Sequence, residues 1–423
     1  MCKKKIGLVT TWYPSEENPY NGVFFKEQAF VLEDDFDFTV IHYREKKVSA
    51  LKYLSRCMKG ELFHVEKIHE ERNTVEYNVD LYMPKYLIYY NKFYDLYQKY
   101  VKHRSNVGVG TYISGKYQKM KEENIRKIFQ ENFQGLVDIF YCVDAQKESN
   151  TLQCAAKALG KPYVISEHAP FPWPGETLKD TEKTAMEAAD LFFAISYDKI
   201  RQVLLQNVKL KKVAYVGNLV DEERFLPAKG SDVVKTFIMV AAHSFYKNYD
   251  LFIEIFNRLT EITEIPFKVM IVGYGANKGY SKNEHVLEEK IRNSKFAGYA
   301  EMIPEVGRDQ IAEVYGRADA FVMTSIQEGM PVSALEAACC GLPVFSTICG
   351  GVEDYVTEKL GRLYKVIDSE SFAFGLKDYL EGKTEFDREY IRRFTVENYG
   401  KRAFASRMAD AFYSVLGKDS DHV

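Results

Sequence analysis

Short apolar runs of strand length alternate with helix-like segments along this chain, and the alternation runs through twice. That rhythm limits the fold more than any other feature. Alternating strands and helices of these lengths form a parallel sheet covered by helices. In the first half, strands are predicted at 5–10, 38–43, 139–143, 163–166, 191–195 and 213–216, with helices at 26–32, 150–159 and 185–189. In the second half, strands are predicted at 236–241, 268–272, 320–324 and 344–346, with helices at 250–259, 309–315 and 331–340. Two such runs predict two Rossmann-like α/β domains. The seam is expected at 218–231, where "NLVDEERFLPAKGS" is polar and contains Pro and Gly.

The stretch from about 45 to 134 breaks the rhythm. It is rich in Tyr, Lys and Glu and reads as mainly helical. Within it, "YLIYYNKFYDLYQKYVKHR" (86–104) spaces aromatics at helical intervals with basic residues between them. Two readings stand at this point. The aromatics of 81–104 either face the domain core or form an amphipathic surface that rests on an anionic bilayer or a lipid-linked substrate.

Composition excludes several classes. The chain has 423 residues, 46% hydrophobic and 28% charged, which is globular and long enough for two or three domains. A net charge of −3 gives no global argument for nucleic acid or anionic membranes, which leaves only a local basic face. The seven cysteines are scattered, with no C-x-x-C pair and no zinc-like Cys/His spacing, so a reduced cytosolic chain without a metal is expected. "MCKKKIGLVTTWYP" reads as a first buried strand and not as a signal peptide. No run approaches the roughly 18 apolar residues of a spanning helix.

The segment with the most chemical content is "EGMPVSALEAACCGLPV" (328–344). Pro331 suits the start of a helix, where its missing N–H costs nothing. Gly341 suits a left-handed C-terminal cap and Pro343 stops continuation. The free N–H groups of such a helix attract anions, yet Glu328 and Glu336 flank it. That combination suits a ligand with both phosphate and hydroxyl groups. Lys247, after the first strand of the second half, is well placed for a phosphate. His168 in "SEHAPFPWPG" follows a buried strand, at the strand end where α/β ligands sit. Gly22 lies between the first strand and the first helix. "VGYGAN" (272–277) lacks the third glycine of a dinucleotide fingerprint, and neither a Walker loop nor a G-x-S-x-G elbow is present.

These pieces, with "NGVFFKEQA", "ADLFFAISYDKI", "VGNLVDEERF", "VGRDQIAEVYGRADAFVMTS" and "STICGGVEDYV", occur in the order found in retaining glycosyltransferases of family 4. The resemblance spans nearly the whole chain, with the glutamate–seven residues–glutamate motif at Glu328 and Glu336. It implies an α/β chain of GT-B fold, two Rossmann-like domains facing across a cleft. The expected limits are an acceptor-side domain at 1–222, a nucleotide-sugar domain at 223–395 and a terminal helix at 396–423 that crosses back to the first domain. By resemblance, Glu336 would hold ribose hydroxyls and Glu328 the donor sugar. Gly329, Met330, Pro331 and Val332 would line sugar and phosphate. Lys247 would neutralise the leaving diphosphate, His168 would line the anomeric centre, and Gly22 would let its loop approach the phosphates.

The implied donor is a nucleoside diphosphate sugar of UDP or GDP type, with no bound cofactor or metal. The implied acceptor is a glycan or a lipid-linked glycan, as in surface-polysaccharide assembly, and nucleic acid is not a partner. The implied location is the cytoplasm, with room for peripheral contact at the inner face of the membrane. Two other readings remain open: a sugar-nucleotide epimerase of the same fold, and a non-catalytic sugar-nucleotide-binding subunit of another transferase. One departure bears on them. Where many relatives carry an arginine five residues before the lysine, this chain has Ala242, which makes no bidentate phosphate contact.

Overall fold

The computed structural model describes residues 3–14, 22–85, 108–169, 171–172, 176–229, 234–275, 284–308 and 310–417. The first half forms one sheet from β1 (Lys4–Val9), β2 (Phe36–Val48), β3 (Phe63–Glu71), β4 (Thr74–Pro84), β5 (Ile139–Cys142), β6 (Tyr163–Ser166), β7 (Leu191–Ala194) and β8 (Val213–Tyr215). Its order is β3-β4-β2-β1-β5-β6-β7-β8. The second half forms another from β9 (Lys235–Val240), β10 (Phe267–Val272), β11 (Ala300–Ile303), β12 (Ala320–Met323), β13 (Val344–Thr347) and β14 (Gly361–Tyr364), in the order β11-β10-β9-β12-β13-β14. Every pairing is parallel except β3 on β4. Strands such as "IFYC", "YVIS", "LFFA" and "AFVM" are buried at every position because helices cover both faces of the sheets.

The order of each sheet reverses at one place, between β1 and β5 in the first and between β9 and β12 in the second. Loops diverge there and leave a crevice at the strands' carboxyl ends, where ligands of open α/β sheets bind. The two crevices face one another across the interdomain cleft.

The expectation of a mainly helical 45–134 stretch is corrected. Helices do occupy Ala50–Lys59 and Gly108–Asn132, but β2 runs on to Val48 and β3–β4 form a hairpin that extends the sheet. The hairpin turns at Arg72, whose φ is 55°, and Asn73, whose amide donates to Ala29 and Phe36 carbonyls at 2.9 Å. Alternation was hidden because β4 buries charge. Glu76 pairs with His42 at 3.1 Å and Asp80 with Arg44 at 2.9 Å, so polar residues occupy core positions. Of the aromatic segment 81–104, Leu81 is fully buried in β4; residues 86–104 lie outside the described residues.

The chain ends in two helices, Arg388–Tyr399 and Lys401–Leu416, broken at Gly400. The first packs on the second domain, where Arg388 donates to the Ala318 carbonyl at 3.0 Å. The second crosses to the first domain. Its stripe of Phe404, Met408, Ala411 and Phe412 is buried, and the Phe412 ring lies 5.3, 5.8 and 4.9 Å from those of Phe36, Tyr141 and Phe193.

Candidate active site

A cavity of about 280 Å³ opens where the two crevices meet. The first domain contributes Trp12, Phe24, His168 and Ile195, and the segment between the domains contributes Asn218. Lys247 and residues 328–333 come from the second domain. Lys247 stands in the loop after β9 and Glu328 in the loop after β12, the two loops that border the second sheet's reversal point.

The helix after Glu328 runs Val332–Cys339 with Pro331 as its N-cap, at φ −70° and ψ 110°. It starts one residue later than the sequence suggests, because Pro331 keeps an extended ψ. No side chain among the described residues caps it, and its first residues, Val332 and Ser333, line the cavity. The Lys247 Nζ lies 2.5 Å from Glu328 Oε1, which also accepts from Ser325 Oγ at 2.6 Å. Glu328 is anchored through its own N–H, which donates to the Cys349 carbonyl at 2.6 Å. The cavity thus holds a cation, an uncapped helix start and a fixed carboxylate.

His168 follows β6 and packs edge-on against Phe25, with ring centroids 4.8 Å apart. Its Nε2 is buried and without a protein partner. Burial, with the Lys199 ammonium behind it, lowers the imidazole pKa to about 3, so His168 is neutral at physiological pH. Lys199 is itself held below the usual lysine range by burial, and donates to the Ala169 carbonyl and to Gln202 Oε1 at 2.9 Å. Above the unfolded histidine pKa of 6.5, the neutral ring adds nothing adverse; as pH falls from there towards 3, only the unfolded chain gains the proton and stability is lost. Wild-type protein is therefore expected to lose on the order of 1 kcal/mol more per pH unit than His168→Gln between pH 6 and pH 4, discounting for the ring edge that faces the cavity. Parallel melting curves of the two proteins would contradict this.

Gly329 sits opposite His168. A Cβ there would meet the His168 carbonyl at 3.0 Å and the Ile195 side chain at 2.9 Å, so a glycine permits a close approach of the two domains here. Gly22 lies where its sequence context places it, between β1 and the first helix. It caps the Val23–Val31 helix at φ 65°, and a Cβ would meet the Trp12 carbonyl at 2.6 Å. It shapes the Trp12 loop from behind and is absent from the cavity lining.

Glu336 also stands outside the lining. It lies behind the helix start, 5% exposed, and its carboxylate accepts from Arg308 Nη1 at 3.2 Å and from Tyr315 Oη at 3.1 Å. Burial raises its pKa, which Arg308 and Tyr315 oppose. Arg308 also binds Glu27 of the first domain at 2.6 Å, and Glu27 accepts from Arg224 at 2.6 Å. Each Glu336 oxygen accepts one of these bonds, and a carboxylate oxygen can accept two.

Sequence reasoning missed Trp12, Phe24, Ile195, Asn218 and Ser333 in the lining. Asn218 was within reach of notice, since it opens the polar seam. Its Nδ2 donates to the Met330 carbonyl at 2.8 Å and so ties the seam to the helix start. Ala242 lies in the loop after β9, and Lys247 is the cation of the described lining.

Residues 221–395 match the family described as Glycosyl transferases group 1. The alpha-galactosylglucosyldiacylglycerol synthase of Streptococcus pneumoniae is 25% identical over 231 residues, 49% of this chain and 60% of that protein. The lipopolysaccharide 1,6-galactosyltransferase of Salmonella typhimurium is 25% identical over 291 residues, 67% and 74% of the two chains. The match thus spans less than two thirds of the synthase. Among solved structures, the apo lipopolysaccharide outer core galactosyltransferase WaaB superposes with a TM-score of 0.62 at 16% identity, covering 97% of this chain and 99% of that one. Anabaena HepE in complex with UDP and glucose gives 0.65 at 13% identity, covering 97% and 100%. At these identities the likeness is one of fold, and that fold is GT-B.

Proposed function

We propose that this chain, whose residues 221–395 belong to the glycosyl transferases group 1 family, is a glycosyltransferase that takes a hexose or amino-hexose from a nucleoside diphosphate sugar. The sugar passes to a hydroxyl of a lipid-linked or polysaccharide precursor, with retention at the anomeric carbon and without a bound metal. The observation that carries the reading is the meeting, in one cavity, of Lys247, Glu328, the uncapped Val332–Cys339 helix start and the unpartnered His168 Nε2.

In this reading the diphosphate lies between Lys247 and the helix start. The C1–oxygen bond to the diphosphate breaks and its electron pair leaves with the phosphate oxygen. Lys247 and the helix N–H groups stabilise the charge that grows there, which lowers the barrier without proton transfer from the protein. The acceptor hydroxyl bonds to C1 from the diphosphate's side and passes its proton to the departing phosphate oxygen, which gives retention. Glu328 holds Lys247 in position and accepts from sugar hydroxyls. His168, neutral, lines the sugar from the first domain with Trp12 and Phe24. Glu336 accepts from the ribose hydroxyls on the lone pairs that Arg308 and Tyr315 leave.

A thermal-shift panel of UDP, GDP, ADP and their sugar conjugates tests the donor. A ligand at 100 times its dissociation constant adds about 2.7 kcal/mol of stability, and a panel without any shift would end the reading. Glu336→Gln is expected to fold normally and to weaken binding of the matching nucleotide by roughly 1.5–3 kcal/mol, the worth of a hydrogen bond to a charged group. Calorimetry with unchanged affinity would remove Glu336 from the donor site.

A further inference from the structure

The helix Ala50–Lys59, "ALKYLSRCMK", is built outside in. Tyr53 is its buried residue, and the Tyr53 hydroxyl reaches Met120 Sδ at 3.0 Å. The large apolar side chains point the other way: Leu51 is 82% exposed, Leu54 57% and Met58 83%. At 100° per residue they fall within a stripe about 60° wide, roughly opposite Tyr53. Lys52 and Lys59 flank one edge of the stripe, about 80–100° from Leu51. Neither pairs with a carboxylate among the described residues. Arg56 lies further round, with its guanidinium 3.5 Å from the Tyr82 ring centre. The helix has no acidic residue, and Glu61 follows only after its Gly60 cap.

The stripe has no partner among the described residues, and water gives it none. Its chemistry narrows the partner. Apolar side chains bordered by unpaired lysines match a bilayer surface, where the stripe enters the acyl boundary and the ammonium groups reach lipid phosphates. No helix among the described residues is long and apolar enough to cross a membrane, so contact of this kind would lie along the surface.

We propose that the Ala50–Lys59 helix docks the first domain on an anionic lipid bilayer through Leu51, Leu54 and Met58, with Lys52 and Lys59 on the head groups. This adds a partner to the transferase reading above. It is measured without donor or acceptor, so either can fail alone.

The test is co-sedimentation of the full chain with vesicles of phosphatidylcholine alone and of phosphatidylcholine mixed with phosphatidylglycerol. Binding to the mixed vesicles, weak binding to phosphatidylcholine and release by salt are expected. Lys52→Glu with Lys59→Glu should lower the partition coefficient on the order of tenfold or more, since each basic residue near an anionic surface adds about 1 kcal/mol. Leu51→Ser with Leu54→Ser and Met58→Ser should lower it at least as far. Both variants alter only exposed side chains, and unchanged melting temperatures and nucleotide affinity confirm that they fold. Wild-type protein that ignores mixed vesicles, or variants that bind as well as wild type, overturns the proposal. So does sedimentation velocity showing a dimer that the serine variant dissolves, because the stripe then serves a second copy of the chain.

Discussion

Lys247→Ala is expected to lower turnover by about 10²–10³-fold, roughly 2.7–4 kcal/mol, the range for removing one preorganised group from a developing charge. The effect on binding of the bare nucleoside monophosphate should be much smaller. Charge on the diphosphate rises as the glycosidic bond breaks, so a contact with Lys247 is stronger in the transition state than in the bound donor. Among the described residues the same substitution leaves the Glu328 carboxylate with Ser325, at 2.6 Å, and loosens the group proposed to face the sugar. Lys247→Arg keeps the charge but replaces a point donor by a wider planar fork, and should recover binding better than turnover. Comparison of kcat with nucleotide affinity for both variants checks this. An unchanged kcat for Lys247→Ala would make it a surface lysine that happens to line the cleft.

Phe412→Ala is expected to destabilise the protein by about 3–5 kcal/mol, the cost of removing a fully buried aromatic ring and leaving its cavity. Phe412 is 0% exposed and stands among Phe36, Tyr141 and Phe193, each on a different strand of the first sheet or at its edge. Its helix is the return crossing between domains, and Arg407 fastens it further by donating to the Val216 carbonyl at 3.0 Å. Loss of the ring should therefore free the 401–416 helix for proteolysis before either sheet unfolds. Equilibrium denaturation gives the magnitude and timed proteolysis gives the order. A loss under about 1 kcal/mol, with the helix still protected, would mean that Phe36 and its neighbours close the gap.

The sequence by itself determined the parts whose causes are local. Continuous apolar runs such as "LFFA" place buried parallel strands, since burial on both faces leaves no polar alternation. Pro331 and Gly341 bound a helix by backbone chemistry alone, and Gly341 takes the left-handed conformation at φ 78°. From these follow the two α/β halves, the loop that presents Glu328 and the helix start beside it. The stripe at Phe404, Met408, Ala411 and Phe412 is equally local, because a helical period of 3.6 puts those residues on one face.

What only the tertiary structure decided depends on residues far apart in the chain. β3 and β4 were illegible because Glu76 and Asp80 are buried against His42 and Arg44 of a neighbouring strand. Gly22 was expected to let its loop approach the phosphates; that Trp12 fills the space a Cβ would need is a fact of the folded loop alone. Glu336 was expected to hold ribose hydroxyls; only the folded chain shows that Arg308 and Tyr315 already donate to its carboxylate and that Arg308 ties it to Glu27 in the other domain. Spacing along a helix says which face a carboxylate shares. It does not say which cation from the opposite domain reaches that face first, because domain closure sets the distance and burial sets the strength of the pair.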